Sequence, residues 1–433
     1  MLNEVKFLKS GRCARKAWLL ENTGSCESPR TLPFPNIKSG ERNKVFRSEL
    51  GEATVGCVAV KNNGIELYDF YDTVKYKKHS VRMNFKRVIA ESCGYTVLGA
   101  FAVTVNPKFE RGGKQPFYIV NRIEKPKTKA EFRRCIERIS AAANAKHPSD
   151  AVMKNDCAGC EFFKGCFKLP KDNIFLLKGL NFSEKVALYN KGIITFDDYM
   201  KNSPSPVCRM QITGETHIDK GAIKAFLAKL SYPLGFLDFE TISPLTPSFP
   251  GYHPGDKIIT QFSYHQRNEK SGAVLHREFI GNGITNPETE AVPALIKATK
   301  TAGSVLSYSV YEKNCIEMLA ERFPEHRKEL KELSAKIVDL EIPFRKHMYY
   351  TPRMEGRTSL KFVLPALYPN DKALDYHKMK VSDGEAAVKA YMSLKEKPEQ
   401  EREKIKTNLK KYCCLDTLAL VKITDKLYEV IAK

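Results

Sequence analysis

The stretch LGFLDFETI, residues 234–242, places two carboxylates two positions apart in an otherwise apolar run. Its apolar, aromatic composition predicts a β-strand, in which residues i and i+2 point to the same face. Asp238 and Glu240 would therefore stand side by side, where two bare carboxylates repel each other. A shared proton, a basic partner or a metal ion relieves such repulsion.

The sequence after this stretch predicts the fold around it. IITQFSYHQ and AVLHREFI are typical of two further strands, and they are followed by a helix near 292–300, a strand at SVLSYS and a helix at YEKNCIEMLAERF. Three strands in a meander, followed by alternating helix and strand, predict a mixed sheet with helices on both faces. We therefore expect an α/β fold for this half of the chain.

Two more acidic residues qualify as partners of this pair. Glu312 begins a helix directly after the strand SVLSYS, although it could also only cap that helix. Asp416 lies in KKYCCLDTLAL, on an otherwise apolar helical face, and Tyr412 is one turn earlier on the same face. A buried aspartate on such a face is costly without a partner.

These residues carry a resemblance to a known superfamily. FLDFET resembles the first motif of the DEDD exonucleases, which belong to the ribonuclease-H-like superfamily, and YCCLD resembles the third motif of their tyrosine-containing subclass. SYSVYEKNCIEML resembles the second motif, with Glu312 where many members have aspartate. IVDL at 337–340 and GRTSLKFVLPALYP at 356–369 resemble a bacterial family of unknown function that pairs such a domain with a RecB-like iron–sulfur module.

The resemblance implies a 3′→5′ exonuclease that uses two Mg²⁺ or Mn²⁺ ions and prefers single-stranded DNA or frayed 3′ ends. The implied site residues are the metal ligands Asp238, Glu240, Glu312 and Asp416, with Tyr412 orienting the attacking water. Lys361 would meet a phosphate or simply lie on the surface, and Asp339 would cap a strand end or join the site. An RNA 3′→5′ exonuclease and a non-catalytic nucleic-acid-binding scaffold remain the alternatives.

The charge distribution also indicates a polyanionic partner. The net charge is +21, and residues 1–230 hold 40 basic and 23 acidic side chains, whereas residues 231–433 hold 31 and 27. An excess of this size on one half of the chain predicts nucleic-acid binding by the first half.

A cysteine cluster ends the first domain. CAGCEFFKGC supplies Cys157, Cys160 and Cys166, and Cys13 is the candidate for a fourth thiolate. One early cysteine and a late triplet resemble the iron–sulfur clamp of RecB-like nucleases, including CRISPR-associated exonucleases, which implies a [4Fe–4S] cluster. A zinc ion or plain buried thiols are the alternatives. Nearby basic side chains that could contact phosphates are Arg12, Arg15, Lys16 and Lys164.

The first domain departs from the nuclease pattern that it resembles. RecB-like nucleases use an aspartate on one strand and an acid-x-lysine on the next. Here Cys57 stands at the position expected for the first aspartate, and Tyr71 takes the lysine position after Asp69. Lys86 stands where a glutamine is expected. The sequence therefore predicts a small, degenerate RecB-like fold that binds nucleic acid without cutting it.

These observations divide the chain into three segments: 1–170, the iron–sulfur module; 171–230, a connector resembling a helix–hairpin–helix; and 231–433, the exonuclease-like domain. The polar, charged N-terminus does not resemble a signal peptide, and the longest apolar stretch is too short to span a membrane. We therefore expect a cytoplasmic protein without a membrane partner. The sequence identifies no protein partner.

Overall fold

A computed structural model describes residues 2–10, 13–22, 41–126, 129–202, 204–371 and 383–432. These residues form two compact units. Unit 1 consists of 1–171, 182–194 and 244–256, and unit 2 consists of 172–181, 195–243 and 257–433. Each unit is therefore assembled from several segments that alternate along the chain. The division into three functional segments, 1–170, 171–230 and 231–433, remains a prediction.

Unit 1 contains one five-stranded sheet and six α-helices within its described residues. Its elements are α1 (Glu4–Ser10), α2 (Ala14–Asn22), β1 (Glu41–Ser48), β2 (Gly51–Lys61), β3 (Gly64–Tyr71), α3 (Ser80–Ser92), β4 (Val97–Val105), β5 (Tyr118–Arg122), α4 (Lys129–Ala143), α5 (Phe163–Cys166) and α6 (Phe182–Asn190).

The sheet of unit 1 follows chain order, β1-β2-β3-β4-β5. All neighbouring pairs are antiparallel except β3 and β4, which are parallel and connected through α3. A tight hairpin at Asn62-Asn63-Gly64 connects β2 and β3. Strand β3 alternates buried and half-buried positions, so that Ile65 and Leu67 enter the core with Phe85 and Ile89 of α3.

Unit 2 contains the remaining α-helices and strands of the described chain. They are α7 (Phe196–Met200), α8 (Pro206–Thr213), β6 (His217–Ile218), α9 (Lys220–Leu227), β7 (Leu234–Ile242), β8 (Ile258–Arg267), β9 (Val274–Ile280), α10 (Glu288–Thr299), β10 (Ser304–Ser307), α11 (Tyr311–Arg322), α12 (Arg327–Lys336), β11 (Ile337–Asp339), α13 (Ile342–Arg345), β12 (Tyr349–Tyr350), α14 (Leu360–Leu367), α15 (Gly384–Ser393) and α16 (Glu399–Ala432).

The main sheet of unit 2 is mixed, in the order β11-β10-β7-β8-β9. Strands β7, β8 and β9 are antiparallel neighbours, whereas β10 runs parallel to both β7 and β11. The predicted three-strand meander, the following helix–strand alternation and the mixed α/β class are therefore confirmed. Among the described residues, none of the helices has the length and apolar content needed to cross a membrane.

Strand β7 is covered on both faces, which fixes where its carboxylates point. Leu237 and Phe239 pack into the core formed with α10, α11 and α12. The opposite face packs against α16, to which Gln261 of β8 is bound through a 3.0 Å hydrogen bond from its Nε2 to the carbonyl of Leu409. Gly235 permits close packing within the sheet, since a Cβ there would lie 2.6 Å from the ring of Tyr264.

Candidate metal centre

The two carboxylates of β7 face helix α16. Asp238 lies opposite Ser263 on β8 and Glu240 lies opposite Gln261. Ser263 and Gln261 both hydrogen-bond to α16, through the hydroxyl of Thr417 at 2.7 Å and the carbonyl of Leu409. Residues of a strand two positions apart share a face, so Asp238 and Glu240 point toward the same helix.

Asp416 completes a group of three carboxylates. One carboxylate oxygen each from Asp238, Glu240 and Asp416 lies within 4.8 Å of the other two. Asp416 is buried, and the two strand residues are partly buried. The structure therefore brings together three of the four acidic residues predicted as metal ligands, and carboxylate oxygens at such distances suit Mg²⁺ or Mn²⁺.

Glu312 lies at the margin of this group. It is the second residue of α11 and is only 4 % exposed, and its Oε2 has no hydrogen-bond partner within the described chain. Its negative charge contributes to the raised pKa of both Asp238 and Glu240. It does not belong to the three-carboxylate group, but its unpaired buried oxygen fits a cation at its edge.

Burial and mutual repulsion shift the titration of these carboxyls. Burial, followed by the charges of Asp416 and Glu312, raises the pKa of Asp238 well above its ordinary value. The same causes raise the pKa of Glu240 to about 8, against the opposing charge of Lys361. Burial raises the pKa of Glu312 to about 7. The site therefore holds protons near neutral pH and would release them to a divalent cation.

Tyr412 and Lys361 lie beside the carboxylates in different ways. Tyr412 is buried one turn before Asp416, and burial together with the charges of Asp416 and Glu240 raises the pKa of its phenol. The phenol is therefore neutral and can act as a hydrogen-bond donor. Lys361 is exposed, and its charge reaches Glu240, which places a solvent-accessible cation near the acidic group.

Asp339 has a different set of contacts. Its Oδ1 accepts hydrogen bonds from the backbone N–H groups of Ser309 at 3.1 Å and Glu341 at 2.8 Å, and its Oδ2 pairs with Arg345 at 2.8 Å. Through these contacts Asp339 holds the backbone at Ser309 and at Glu341 in place. They match the capping role that the sequence allows for it.

One buried neighbour of the carboxylates is not predicted by the sequence. The thiol of Cys413 lies 3.4 Å from Oδ2 of Asp238, and burial followed by the charge of Asp238 raises its pKa well above the ordinary value. The apolar helical surroundings of this cysteine indicate only a core residue. Its position immediately after Tyr412 is the only sequence signal for its contact with the site.

The four predicted cluster cysteines surround one pocket in unit 1. Cys13, Cys157, Cys160 and Cys166 all line it, and the other three thiols contribute to a raised pKa of Cys157 whose largest cause is burial. Cys13 precedes α2, and its Sγ accepts a hydrogen bond from the backbone of Lys16 at 3.3 Å. The structure thus brings the first segment of the chain to the 157–166 segment.

The basic side chains near this pocket have unequal access to a ligand. Lys16 forms an ion pair with Glu161 at 2.9 Å, and Nη1 of Arg15 donates to the carbonyl of Ser149 at 2.7 Å. Lys164 is exposed. Arg12 lies outside the described residues. Of the described basic side chains predicted to contact phosphates here, Lys164 fits that role best.

Asp69 and Lys86 form a buried ion pair in unit 1. Asp69 accepts hydrogen bonds from the backbone of Gly56 at 2.7 Å and from the Tyr71 hydroxyl at 3.0 Å, and it pairs with Lys86 of α3. Cys57 lies opposite Tyr68 rather than Asp69, so the side chains of Cys57 and Asp69 point to opposite faces of the sheet. Both oxygens of this single carboxylate are already bound by protein groups.

Comparison with known proteins gives one family match. A profile described as "Domain of unknown function (DUF2779)" matches residues 235–359, which include Asp238, Glu240 and Glu312 but end before Asp416. The comparisons with curated proteins and with solved structures find no match.

We predict that unit 2 without divalent ions becomes less stable as the pH rises. The folded-state pKa of Glu240 is about 8, above the value of 4.5 for an unpaired carboxyl. Its contribution to stability is therefore full below about pH 4.5 and is lost as the pH rises through about 8. In EDTA, the melting temperature should be lower at pH 8.5 than at pH 5.5, and Mn²⁺ should restore it at pH 8.5.

Asp416→Asn tests the cause of this pH dependence. Removing one of the three charges should flatten the pH dependence in EDTA and abolish the stabilisation by Mn²⁺. Glu429→Gln, on the exposed side of the same helix, should behave like the wild type. A wild-type melting temperature that rises with pH in EDTA would contradict the assignment.

We predict that the Asp69–Lys86 pair is a structural element of unit 1. Lys86→Met should destabilise unit 1 by about 3–5 kcal/mol, because it leaves a buried carboxylate without its cation. The double variant Asp69→Asn/Lys86→Met should recover much of this loss, as measured by denaturant unfolding. Equal destabilisation by the single and double variants would show that the charge pairing is not the cause.

Proposed function

We propose that the protein is a metal-dependent 3′→5′ exonuclease whose active site lies in unit 2. The observation that carries the proposal is the convergence of Asp238, Glu240 and Asp416, with Tyr412 one turn from Asp416 on the same helix. These are three of the four metal ligands, together with the tyrosine, that the resemblance to the tyrosine-containing DEDD exonucleases implies. The antiparallel meander followed by parallel strands supports the ribonuclease-H-like assignment.

The donor set fits hard divalent ions. Asp238, Glu240 and Asp416 would hold them, and the unpaired Oε2 of Glu312 offers a fourth carboxylate at the edge. When bound, two such ions stabilise the attacking and leaving oxygens of a phosphodiester during hydrolysis. Without a cation, burial and then mutual repulsion disfavour the charged carboxylates and raise their pKa values. A bound cation would relieve both effects.

The remaining site residues can position the substrate. The neutral phenol of Tyr412 can donate a hydrogen bond to the attacking water, and the exposed ammonium of Lys361 near Glu240 can contact a phosphate of the scissile strand. The 3′→5′ direction and the preference for single-stranded DNA or frayed 3′ ends come from the resemblance. RNA as substrate and a non-catalytic scaffold are the outcomes that the assay must separate.

Unit 1 is proposed to be a RecB-like module that binds nucleic acid and holds a [4Fe–4S] cluster. A tetrahedral zinc ion with bonds of about 2.3 Å to sulfur keeps its four thiolates only about 3.8 Å apart. Within the described residues, the groups of three ligands found within 4.8 Å do not include any of these four cysteines. Four thiols around a common pocket suit a [4Fe–4S] cluster, which is the group that the resemblance implies.

The exonuclease proposal is tested with 3′- and 5′-labelled DNA and RNA in Mg²⁺, Mn²⁺ or EDTA. We expect stepwise loss of the 3′ label from single-stranded DNA with either metal and no loss in EDTA. Asp238→Asn and Asp416→Asn should each lower the rate by about 100-fold or more, because the charge stabilisation of the transition state is lost. Tyr412→Phe should slow cleavage and leave the stabilisation by Mn²⁺ unchanged.

Glu429→Gln is the matched control in this assay and should cut at the wild-type rate. Faster removal of the label from RNA would assign the RNA alternative. Binding of both nucleic acids with no cleavage under any metal condition would support the scaffold instead. Cleavage that persists in EDTA would exclude the metal-dependent mechanism.

The cluster proposal is tested on protein purified without oxygen. It should be brown and contain about four iron and four sulfide ions per chain. Cys157→Ser should lose the colour, whereas Cys93→Ser should keep it, because Cys93 does not line the pocket and bonds to the Arg47 carbonyl. Colourless protein that contains one zinc ion bound through these cysteines would refute the iron–sulfur assignment.

A further inference from the structure

A second group of ligand side chains lies on the same sheet face of unit 2. His265 on β8 is directly opposite His276 on β9, and Cys414 on α16 faces both. One ligand atom from each of the three lies within 4.8 Å of the other two. The group shares no residue with the carboxylates of Asp238, Glu240 and Asp416.

Hydroxyl groups hold both imidazoles in place. Nδ1 of His265 lies 2.8 Å from the hydroxyl of Thr417, and Nε2 of His276 lies 2.9 Å from the hydroxyl of Ser263. The two hydroxyls are themselves 2.7 Å apart. One nitrogen of each ring is thus fixed, and the second makes no hydrogen bond to any described residue. The two rings also stack, with their centroids 4.4 Å apart. In metal sites a histidine is commonly oriented by a hydrogen bond to the nitrogen that does not bind the ion, and the two hydroxyls supply such hydrogen bonds here.

The surroundings favour neutral imidazoles. Burial, with a smaller effect of His276, lowers the pKa of His265 to about 4, and partial desolvation of the His276 ring lowers its pKa as well. The nearby charges of Glu278 and Lys410 form an ion pair at 3.1 Å and oppose each other at His276. A neutral imidazole carries one nitrogen lone pair that can bind a metal ion.

We propose that His265, His276 and Cys414 form a second metal site, for a borderline-soft ion such as Zn²⁺. Two imidazole nitrogens and one cysteine sulfur, which loses its proton when it binds the ion, are zinc ligands, whereas Mg²⁺ requires oxygen. Zinc–ligand bonds of about 2.0–2.3 Å place tetrahedral ligand atoms about 3.6 Å apart. The three ligand atoms would therefore move closer to one another by up to about an ångström on binding. His276 is exposed, which leaves the fourth position to water.

The ion would link α16 to the outer strands of the sheet. Cys414 lies between Tyr412 and Asp416 on that helix, and Thr417 anchors the same turn to His265 and Ser263. Occupation of the site would therefore hold the turn of α16 that carries Asp416. The site itself follows from the described contacts and does not depend on the proposed exonuclease activity.

Cobalt titration of the full chain in excess Mg²⁺ tests the proposal, since Co²⁺ replaces zinc and reports thiolate ligands by charge-transfer absorption. We expect Cys414→Ser to remove one equivalent of bound Co²⁺ together with its charge-transfer band. His276→Ala should weaken that equivalent by at least about tenfold, and Ser263→Ala by about tenfold. His217→Ala, an exposed histidine on β6, is the matched control and should leave binding unchanged.

Cobalt bound at the cysteine pocket of unit 1 would also show thiolate absorption, and Cys157→Ser removes that contribution. The equivalent of Co²⁺ bound at Cys414 should persist in that variant. Loss of all thiolate–cobalt absorption in Cys157→Ser would overturn the proposal, and so would unchanged binding in both Cys414→Ser and His276→Ala. If Cys414→Ser does not fold, His276→Ala decides the question, because its exposed ring contributes little to the core.

Discussion

The structure of unit 2 depends on holding carboxylates from a strand and from a helix together in a buried place. Burial and mutual repulsion penalise their charged forms, and contacts between α16 and the sheet keep them close together. Gln261 and the Ser263–Thr417 pair provide such contacts on the neighbouring strand β8. An apolar interface would hold the helix as well, but it would not fix which helical turn faces β7. The polar residues of β8 therefore determine the register of the helix relative to the carboxylates.

The sequence predicted the parts of this arrangement that follow from local periodicity. The period of two along β7 placed Asp238 and Glu240 on one face, and the helical period placed Tyr412 beside Asp416. The strand meander and the mixed α/β class also followed from pattern. The convergence of strand and helix did not follow from either period, because no local rule states which face of a sheet a distant helix covers. The resemblance to an exonuclease superfamily supplied that expectation.

The features that escaped prediction are those set by tertiary packing. Cys413 in an apolar helix is indistinguishable from a core thiol, and His276 on an edge strand is indistinguishable from a surface residue. In unit 1, Cys57 lies opposite Tyr68, one residue before Asp69, so Cys57 and Asp69 lie on opposite faces of the sheet. The strand pairing, and not the motif spacing, decides which side chains meet. The lysine that pairs with Asp69 comes from α3, at a position that the motif assigned to glutamine.

Helix α16 runs without interruption through 34 residues, and this continuity has an evolutionary consequence. Each residue of an α-helix turns the chain by about 100°, so a single insertion between Leu409 and Thr417 would rotate one set of side chains away from the sheet relative to the other. Insertions and deletions should therefore be excluded from this interval. The first turns of the helix, from Glu399 to Lys404, are largely exposed and are free of this phase requirement. Length variation among relatives should accumulate there, before the helix reaches the sheet.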